Sequence, residues 1–510
     1  MLLIEMLKGI PCRLIRGDLN IEIAALTSDS RKARESALFV CIRGHETDGH
    51  SYIKDVCEKG AAAILIEDET LIPADVSDYP NVTIIQSDDT RYAFALLSAT
   101  WFGHPAKKLK VIGITGTKGK TTSTYMIKSV LEGAGIKTGL IGTIETDFGD
   151  GSEPIEAKNT TPESYEIQET FAKMLEKGCT HVVMEVSSQG LKLHRTAGVP
   201  FEIGVFTNLG NDHIGPNEHD SFDEYKECKS RLFKQCKIGI GNANDEHFED
   251  VFKNATCDVV SYKINAAGYN VHIALQDSEY NGTNITSYTA TGLKLINGEG
   301  YLGVDFHVNE LDLDVNLHMP GEFSVSNAVA AIAVCDTLGV EKDVIKKALE
   351  NAFVKGRIER VNVSPDFVVL IDYAHNAMSL ETLLLTLKEY KPKRIVTVFG
   401  CGGNRSKDRR YDMGEVSGRL SDFTVITSDN PRFEEPQDII NDIITGIKRT
   451  NGKYVTIPDR KEGIRYAIKT AIEGDVIVIA GKGHETYQEI RGVKHHMDDR
   501  ELIRECTLTY

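Results

Sequence analysis

Short apolar runs alternate with polar and helical stretches along most of this chain, which is the pattern of an α/β protein. The clearest example starts at residues 111–115, an apolar run with β-branched residues that predicts a buried parallel strand. Glycines recur at positions 113, 116 and 119, and apolar residues at helical spacing follow from Met126 to Leu131. Gly133 and Gly135 are typical of a helix end. This stretch therefore predicts a strand, a glycine-rich turn and a helix, in that order.

The alternation of apolar and polar stretches divides the chain into three blocks. Residues 1–105 predict a small α/β N-terminal domain that begins with a helix in residues 1–15. Residues 106–355 predict a central domain built on a parallel sheet, with a set of alternating polar and apolar strands inserted at about 255–315. Residues 356–510 predict a doubly wound parallel sheet, because apolar strands at 367–371, 394–398, 423–426 and 475–479 are separated by helical stretches. The predicted fold is α/β with three domains.

The glycine-rich turn carries the chemistry of a phosphate-binding loop. Lys120 follows Gly119 directly, and Thr121 and Thr122 follow the lysine. Backbone N–H groups and a helix N-terminus hold an anion, a lysine adds positive charge, and a threonine hydroxyl can ligate magnesium. The spacing is GxxGxxGKTT rather than the usual GxxxxGKS or GxxxxGKT, and a glycine-rich turn without function is the alternative. With the lysine and hydroxyls in register, the turn predicts a site for a nucleoside triphosphate.

Two further strands of the central block end in residues that can ligate a metal ion. Glu185 lies near the end of the apolar run 180–186, and His213 follows the run 201–207. Ligands bind outside the carboxyl ends of strands in open α/β sheets, so both side chains are expected beside the triphosphate. Taken singly, a solvated strand end and an ordinary loop histidine explain them. Taken together, they favour a magnesium site.

A lysine on the apolar face of a helix is the most informative single residue. Ser221 and Glu224 have the spacing of a capping box, which predicts a helix start. Lys229 falls on the apolar stripe of that helix, four residues after Tyr225 and three before Leu232. A lysine on the inward face must extend its ammonium group to solvent, pair with another group, or have lost its positive charge. Periodicity alone leaves these three outcomes open.

Polar loops follow the strands of the C-terminal block. They lie at residues 372–376, 400–405, 428–432 and 481–485. Arg405 and Arg432 suit bidentate contacts with a carboxylate, and Glu485 suits an ammonium group. Polar turns that simply face water are the alternative. Four such loops at one sheet edge predict a ligand-binding face.

Composition and charge narrow the classes of function. The net charge of −17 at pH 7 argues against a general nucleic-acid or anionic-membrane surface. Ten cysteines without CxxC pairs suggest neither a disulfide framework nor a zinc site, and they fit a reduced, cytoplasmic setting. Residues 1–15 lack the cationic start and continuous apolar core of a signal peptide. No apolar segment approaches the ~20 residues that a bilayer-spanning helix needs.

Several segments together resemble the Mur ligase family, and the resemblance covers essentially the whole chain. They are GITGTKGKTT, NTTPES at residues 159–164, MEVSS, FTNL followed by DH, and YKECKSRLF. The resemblance implies catalytic roles for Lys120, Glu185, His213 and Lys229. It further implies two magnesium ions held by Thr121, Glu185, His213 and Lys229, with Lys229 carbamylated by carbon dioxide. A carbamate would also explain a lysine on an apolar stripe.

The same resemblance implies three sets of ligand contacts. The ATP contacts are Gly116, Thr117, Lys118, Gly119, Lys120, Thr121, Thr122, Asn327, Arg357, Asp372 and His375. The contacts to a UDP-linked substrate are Ser30, Asn159, Thr160, Thr161, Ser187 and Arg195. The contacts to an incoming amino acid are Arg405, Asp429, Asn430, Arg432, Gly481 and Glu485. Residues 429–432 read DNPR, a motif that favours diaminopimelate over lysine because its arginine holds the distal carboxylate in the family.

The implied activity is ATP-dependent amide formation in peptidoglycan precursor synthesis. The enzyme would add meso-2,6-diaminopimelate to the D-Glu side-chain carboxylate of UDP-MurNAc-L-Ala-D-Glu through an acyl phosphate. It would be a cytoplasmic monomer with small-molecule substrates and no nucleic-acid or membrane partner. Two alternatives stay open. One is a related ligase that adds L-lysine or L-ornithine or uses another acceptor, and the other is a non-catalytic ATP-binding subunit.

Four departures from the family pattern concern the substrate cleft. The family usually has TNLxxDHLDYHG, whereas this chain has TNLGNDHIGPNEHDS, so residues 215–218 replace the DYH stretch. Gln189 stands where a histidine is usual, and Leu193 stands where a polar residue is common. Asn404 replaces the usual aspartate of a GGDR motif. The predicted metal ligands are kept, and the wall of the cleft near His213 is the part that differs.

Overall fold

The structure is a computed structural model that describes residues 1–44, 47–210, 214–215, 218–265, 279–280, 283–284, 286–298 and 300–507. Clustering of the Cα positions separates the chain into two compact units. The first contains Met1–Thr124, Ala134–Tyr262 and Val271–Ser287, as far as these segments are described. The second contains Tyr125–Gly133, Lys263–Asn270 and Tyr288–Tyr510, with the same restriction. The domain boundaries predicted at 105/106 and 355/356 stay a prediction.

The N-terminal part of the first unit is a small sheet with short helices. Its strands are ordered Arg13–Arg16, Thr83–Gln86, Ala63–Ile66, Ala37–Val40 and Ala25–Thr27. Only the edge strand Arg13–Arg16 runs antiparallel to its neighbour. The α-helices of this part are Leu3–Met6, Ile53–Glu58 and Thr90–Trp101. The helix predicted for residues 1–15 is therefore mostly wrong, because Gly9 at φ +81° and Pro11 end it early and a strand follows.

The central sheet of the first unit positions the candidate site. Its strands are ordered Asp258–Ile264, Cys236–Asn242, Phe201–Phe206, Lys110–Thr115, His181–Glu185, Thr138–Ile141, Glu145–Asp147 and Ile155–Glu156. The pairs are parallel except the last two, which are antiparallel. The α-helices that start in this part are Lys120–Gly133, Ser164–Glu176, Ser188–Lys192, Phe222–Ser230 and Phe248–Phe252. Three parallel strands thus end side by side, and the predicted phosphate loop follows the middle one.

The inserted β segment is confirmed. Short strands Glu279–Tyr280 and Thr283–Asn284 pair with each other, and Thr286–Gly298, Tyr301–Val308 and Leu313–Leu317 form an antiparallel meander. The helices Glu322–Thr337 and Lys342–Glu350 follow.

Short 3₁₀ helices occur along the chain at Ser30–Lys32, Gly49–Tyr52, Glu69–Leu71, Ala74–Asp78, Pro105–Lys108, Arg231–Lys234 and Asn309–Leu311.

The C-terminal part of the second unit is a parallel α/β sheet, as predicted. Its strands are ordered Glu359–Val361, Val368–Asp372, Asp475–Ala480, Arg394–Phe399, Phe423–Ile426 and Tyr454–Thr456, and only the first is antiparallel. A hairpin of Tyr487–Ile490 and Val493–His496 stands outside this sheet. The α-helices are Ala377–Glu389, Lys407–Leu420, Pro436–Ile447, Arg460–Lys469 and Asp499–Thr507. The predicted α/β class is confirmed in both units.

Two helices of this sheet contact each other through glycines. A Cβ atom on Gly414 would lie 2.2 Å from the carbonyl oxygen of Ile443, and one on Gly446 would lie 1.9 Å from that of Tyr411. The backbones of Lys407–Leu420 and Pro436–Ile447 therefore touch, and no larger residue fits at either position. Buried Arg410 also joins these segments, because its guanidinium group contacts the carboxylates of Glu434 and Asp442.

Apolar side chains fill the interior of each unit, and none of the described helices has the length and hydropathy needed to cross a membrane. In the first unit, Phe171, Phe201 and Phe233 are fully buried in one cluster around the central sheet. In the second, Val398 and Ile479 are buried within the C-terminal sheet. Each such side chain contributes about 1.5–3 kcal/mol by leaving water. The strand ends that carry the candidate sites thus rest on packed cores.

Candidate active site

The phosphate loop, Gly116–Thr122, has the predicted strand–turn–helix context and is attached to a neighbouring strand end. Gly116 has φ +154°, and a Cβ atom there would lie 1.9 Å from the hydroxyl oxygen of Thr207. Only glycine allows this approach. The Thr207 hydroxyl donates to the carbonyl of Lys118 at 2.7 Å, and the Thr117 N–H donates to the carbonyl of Asn208 at 2.8 Å. The loop is held in a fixed shape before any ligand binds.

Two lysines from different elements reach the same carbonyl of this loop. The Lys120 ammonium donates to the carbonyls of Gly116 at 2.8 Å and Thr117 at 3.1 Å. The Lys229 ammonium donates to the Gly116 carbonyl at 2.8 Å. The two lysines are far apart in the sequence, and the fold brings them together at the ends of the strands. Two cationic groups and the N-terminus of the Lys120–Gly133 helix are what a polyphosphate needs.

Glu185 and Thr121, both predicted magnesium ligands, are in contact. Glu185 is 1% exposed, and its Oε1 accepts from the Thr121 hydroxyl and the Thr143 N–H, both at 2.9 Å. Its Oε2 accepts from the Thr143 hydroxyl at 2.9 Å. A Cβ atom on Gly142 would lie 2.7 Å from Oε1, so this glycine leaves room for the carboxylate. A carboxylate and a hydroxyl are hard oxygen ligands and fit magnesium. His213, the third predicted ligand, lies outside the described residues.

Lys229 is buried, so extension of its ammonium group to solvent is excluded. The side chain is 1% exposed, and its Nζ lies 4.5 Å from the centroid of the Tyr225 ring. The Tyr225 hydroxyl is 3.0 Å from the Thr117 hydroxyl of the phosphate loop. The helix starts as predicted, with Ser221 accepting from the Glu224 N–H at 3.2 Å. The capping box is incomplete, because Glu224 accepts from the Asp220 N–H instead of that of Ser221.

A cavity of about 320 Å³ opens beside the two lysines. It is lined by Lys120, Asn159, Thr160, Thr161, Ser187, Ser188, Gln189, Arg195, Glu218, His219 and Lys229. Five of the six residues predicted to contact a UDP-linked substrate are among them. Ser30 is not; it starts a 3₁₀ helix of the N-terminal sheet, and its carbonyl accepts from Lys59 at 2.9 Å. We call this space the acceptor cavity.

The wall of the acceptor cavity is hydrogen-bonded to the strand end that carries Glu185. The Thr161 hydroxyl donates to the carbonyl of Glu185 at 3.0 Å and accepts from the Ser187 N–H at 2.9 Å. Arg195 donates to the Thr161 carbonyl at 3.0 Å and contacts Glu163 at 2.6 Å. Asn159 is exposed at the rim. A substrate in this cavity would therefore meet residues that are already fixed relative to Glu185.

Sequence reasoning missed four residues as lining residues of this cavity: Ser188, Gln189, Glu218 and His219. His219 is buried, with Nε2 at 2.9 Å from the Ser188 hydroxyl and Nδ1 at 3.6 Å from Glu224. It lies in the segment that departs from the family pattern. The signal that could have found it was a histidine immediately after the replaced residues 215–218.

In the second unit, the residues predicted for ATP form a cluster around one ring. The guanidinium carbon of Arg357 lies 4.8 Å from the centroid of the Tyr373 ring, and the His375 ring lies 4.6 Å from it. Asp372 accepts from the N–H groups of Ile358 and Ala374, both at 2.8 Å. Burial raises the pKa of Asp372 against the opposing effect of Arg357, and burial lowers the pKa of His375.

Asn327, the remaining predicted ATP contact, occupies a buried position of the Glu322–Thr337 helix in the same unit. Arg405 is exposed in the loop before the Lys407–Leu420 helix. The structure brings the other residues predicted for the amino acid together in two loops. These are the DNPR loop, Ser428–Arg432, and the GKGHE loop, Gly481–Glu485.

The DNPR and GKGHE loops are joined by charged groups. Glu485 accepts from the Asn430 amide at 2.8 Å and from the ammonium of Lys482, which is 0% exposed, at 3.0 Å. A Cβ atom on Gly481 would lie 2.9 Å from the Asp429 carboxylate. Sequence reasoning missed the role of Lys482, because nothing in its spacing shows that it is buried.

Arg432 has a strained backbone and an internal carboxylate partner. Its φ of +52° lies in the left-handed region, which a non-glycine residue adopts only when its surroundings hold it there. Its Nε lies 3.1 Å from Glu489, and its Nη1 donates to the carbonyl of Gly403 at 2.7 Å. The hairpin residue Glu489 also escaped sequence reasoning. The guanidinium group thus contacts a carboxylate of the chain itself. Its contact with a ligand carboxylate, which the DNPR motif predicts, stays a prediction.

Comparisons with known proteins all indicate one family. Three sequence models match: the Mur ligase family catalytic domain at residues 22–101, the Mur ligase middle domain at 114–335, and the Mur ligase glutamate ligase domain at 356–483. Two curated relatives are both called UDP-N-acetylmuramoyl-L-alanyl-D-glutamate–2,6-diaminopimelate ligase. The one from Caldanaerobacter subterraneus subsp. tengcongensis is 41% identical, with 99% of this chain and 98% of the relative aligned. The one from Clostridium perfringens is 40% identical, with 99% of both aligned.

A solved structure with the same enzyme name superimposes with a TM-score of 0.71 at 26% identity. The superposition covers 99% of this chain and 99% of the other.

Proposed function

The chain belongs to the Mur ligase family, and on that premise we propose that it joins meso-2,6-diaminopimelate to UDP-MurNAc-L-Ala-D-Glu. The relatives that carry this activity in their names align over nearly the full length of the chain. The reaction is ATP-dependent amide formation at the D-Glu side-chain carboxylate, and it serves peptidoglycan precursor synthesis. The observation that carries the proposal is the acceptor cavity, because its lining joins Lys120 of the phosphate loop and Lys229 to the residues expected to contact the acceptor.

The chemistry assigned to the first unit is phosphoryl transfer to the acceptor carboxylate. The carboxylate oxygen attacks the γ-phosphorus of ATP, ADP leaves, and an acyl phosphate forms. Lys120 and the N–H groups of the phosphate loop stabilise the negative charge that spreads over the transferring oxygens. Arg195 and the hydroxyl groups of Thr161 and Ser187 orient the acceptor. Thr161 donates to the carbonyl of Glu185, and the Ser187 N–H and Arg195 donate to Thr161, so the acceptor would be fixed relative to the proposed metal site.

Magnesium supplies positive charge that screens the phosphate oxygens when it is bound. Thr121, Glu185 and His213 would hold one ion, and we extend the proposal to a second ion held by a carbamate on Lys229. Reaction of the neutral lysine amine with carbon dioxide forms an N–C bond and releases one proton. The buried ammonium becomes a carboxylate, which is a hard ligand. The position of Lys229 Nζ, 2.8 Å from the Gly116 carbonyl, supports this role.

The second unit is assigned the nucleotide and the incoming amino acid. Arg357, Asp372, His375 and Asn327 are proposed ATP contacts. Arg432 and Arg405 would bind the distal carboxylate of diaminopimelate, and Glu485 with Asn430 would bind its ammonium group. The neutral amine attacks the acyl phosphate, inorganic phosphate leaves, and the amine loses a proton. We also propose three domains, at 1–105, 106–355 and 356–510, in a cytoplasmic monomer that takes small-molecule substrates only.

A second candidate is a ligase that adds another amino acid or uses another acceptor. The observation in its favour is the altered cavity wall, where Gln189 stands in place of the usual histidine and Glu218 belongs to the segment that replaces the DYH stretch. A non-catalytic ATP-binding subunit is disfavoured, because Lys120, Glu185 and Lys229 are all kept and converge.

Phosphate release tests the proposal directly. The full chain is incubated with ATP, magnesium and UDP-MurNAc-L-Ala-D-Glu, and meso-diaminopimelate, L-lysine or L-ornithine is added in turn. Turnover with diaminopimelate alone is the expected result. Turnover with lysine would support ligase activity and overturn the role assigned to Arg432. No turnover with any amino acid would overturn the assignment of UDP-MurNAc-L-Ala-D-Glu as the acceptor, and a panel of other UDP-linked acceptors would then be tested.

A further inference from the structure

Three loops of the second unit meet beside the proposed nucleotide and amino-acid contacts. One is the turn around Gly356. The second follows the Val368–Asp372 strand and carries Tyr373, and the third is the GKGHE loop after the Asp475–Ala480 strand. These two strands are parallel neighbours, with Asp372 paired to Ala480, so their following loops leave the same edge.

Two glycines let the backbones of these loops touch. Gly356 has φ +67°, and a Cβ atom there would lie 2.1 Å from the backbone nitrogen of His484. Gly483 has φ +54°, and its Cβ would lie 2.7 Å from the Cβ of Tyr373. Any side chain at either position would push the loops apart. The contact is therefore made by the backbones themselves.

An aromatic contact adds to the backbone contact. The His484 ring lies 4.8 Å from the Tyr373 ring, and the same tyrosine contacts Arg357 and His375. The Nδ1 of His484 is buried and has no hydrogen-bond partner in the described part of the chain. The imidazole thus makes its contact through its ring rather than through Nδ1.

The surroundings of His484 keep its ring neutral. Burial, and then the positive charges of Arg357, Arg500, Lys355 and Lys482, lower the pKa of His484 to about 3. A neutral ring can pack on Tyr373 without bringing another charge into this cationic region.

We propose that His484 is a positioning residue that fastens the proposed nucleotide-binding loop to the proposed amino-acid-binding loop. The names of the two ligands rest on the proposed function, whereas the contact does not. Arg357, Asp372 and His375 lie on the nucleotide side of the contact. Gly481 and Glu485 lie within three residues of His484 on the amino-acid side. One ring contact thus holds the contacts of two ligands at the same time.

The test compares KM for ATP and KM for meso-diaminopimelate in the full-length wild type and in His484→Ala. We expect both KM values to rise together, by about five- to tenfold each, while kcat falls by less than about threefold. His484→Phe keeps a ring and should stay within about twofold of the wild type for both. His318→Ala is the matched control, because it removes another ring contact of the same unit, that of Tyr301 with His318 at 4.4 Å.

Tyr373→Leu removes the other ring of the same contact, and it replaces His484→Ala in the test if that variant does not fold. Its effects and those of His484→Ala should be non-additive in the double variant, because both remove the ring contact between Tyr373 and His484, and Tyr373→Leu further removes the contacts of Tyr373 with Arg357 and His375. A rise in only one KM, additive effects, or a His484→Phe variant as impaired as His484→Ala would each overturn the inference. Absence of diaminopimelate-dependent phosphate release in the wild type would instead overturn the proposed function.

Discussion

The phosphate loop of the first unit and the DNPR loop of the second hold their charged groups in different ways. At the phosphate loop, the ammonium groups of Lys120 and Lys229 both donate to one backbone carbonyl. At the DNPR loop, charged side chains contact one another, Arg432 with Glu489 and nearby Lys482 with Glu485. The first arrangement depends on backbone geometry and the second on paired side chains.

This difference indicates how each loop would select its ligand. At the phosphate loop, an anion would meet the Lys120 ammonium, backbone N–H groups and the N-terminus of a helix, so shape and total charge would decide binding. At the DNPR loop, an internal carboxylate already contacts the arginine and an internal ammonium already contacts the glutamate. These are the two groups that an amino acid with a distal carboxylate presents. A bound amino acid would exchange one set of ion pairs for another. Such an exchange contributes more to discrimination between amino acids than to the affinity for any one of them.

Removal of either lysine at the phosphate loop should have the largest effect. Lys120→Ala and Lys229→Ala should each lower kcat by about 10³-fold. The first removes a cation next to the transferring phosphoryl group, and the second removes the proposed carbamate ligand of the second magnesium ion. Phosphate release under saturating substrates measures this. Lys226→Ala is the control on the same helix as Lys229, since Lys226 contacts Asp250 at the surface and should change kcat by less than about twofold. Turnover of Lys229→Ala near the wild-type level would contradict the first half of the comparison.

Replacement of the arginine at the DNPR loop should act on one substrate only. Arg432→Lys should raise KM for diaminopimelate by about 10²-fold and leave KM for ATP unchanged, because lysine lacks the planar guanidinium group that grips a carboxylate. Initial rates at varied diaminopimelate measure it. Arg491→Lys, an exposed arginine next to Glu435, is the control. Equal rises in both KM values would mean that Arg432 acts on the fold of the loop rather than on the ligand.

The burial of His484, together with the cations around it, should make the second unit sensitive to acid. The folded state keeps His484 neutral down to about pH 3, whereas the unfolded chain binds a proton below about pH 6.5. Stability is therefore complete above pH 6.5 and falls as the pH decreases below it. Between pH 7 and pH 5, the wild type should lose about 1–2 kcal/mol more unfolding free energy than His484→Phe. Urea unfolding at both pH values measures this difference, and equal losses would show that His484 does not titrate on unfolding.

The smallest effect is expected from removing the internal partner of Arg432. Glu489→Gln should lower KM for diaminopimelate by about two- to fourfold, because the exchange no longer breaks a charged pair of modest strength. Glu505→Gln, which removes the surface partner of Lys461, is the control. Initial rates at low diaminopimelate measure the change. A higher KM for Glu489→Gln would mean that Glu489 orients Arg432 for the ligand instead of competing with it.

Elements whose local signals agree could be predicted closely from the sequence. The strand before the phosphate loop was predicted at 111–115 and is Lys110–Thr115, and the following helix ends at Gly133. The strand predicted at 367–371 is Val368–Asp372. The predicted strand ends one residue too early, because an aspartate is typical of a loop. In the structure the Asp372 carboxylate is buried and accepts two backbone N–H groups.

Contacts between distant segments could not be predicted in the same way. Lys229 was placed on the inward face by its spacing, but its acceptor, the Gly116 carbonyl, is 113 residues away. His219 lies against Ser188 only because two loops meet, and Lys482 is buried only because Asn430 and Glu485 surround its ammonium group. The spacing of residues along the chain does not show which distant segments contact each other. The motifs thus identified the loops, and the structure was needed to pair their side chains.

The glycine contact between the Lys407–Leu420 and Pro436–Ile447 helices has a consequence for ligand length. Arg405 lies just before the first helix and Arg432 just before the second. Because Gly414 and Gly446 bring the two backbones into contact, the spacing of the two arginine-bearing loops is set by main-chain atoms rather than by flexible side chains. Arg405 and Arg432, both proposed for the distal carboxylate, would therefore hold that group at one fixed place. Homologues of diaminopimelate that are one methylene shorter or longer would present their distal carboxylate away from that place, and the two loops could not move to follow it.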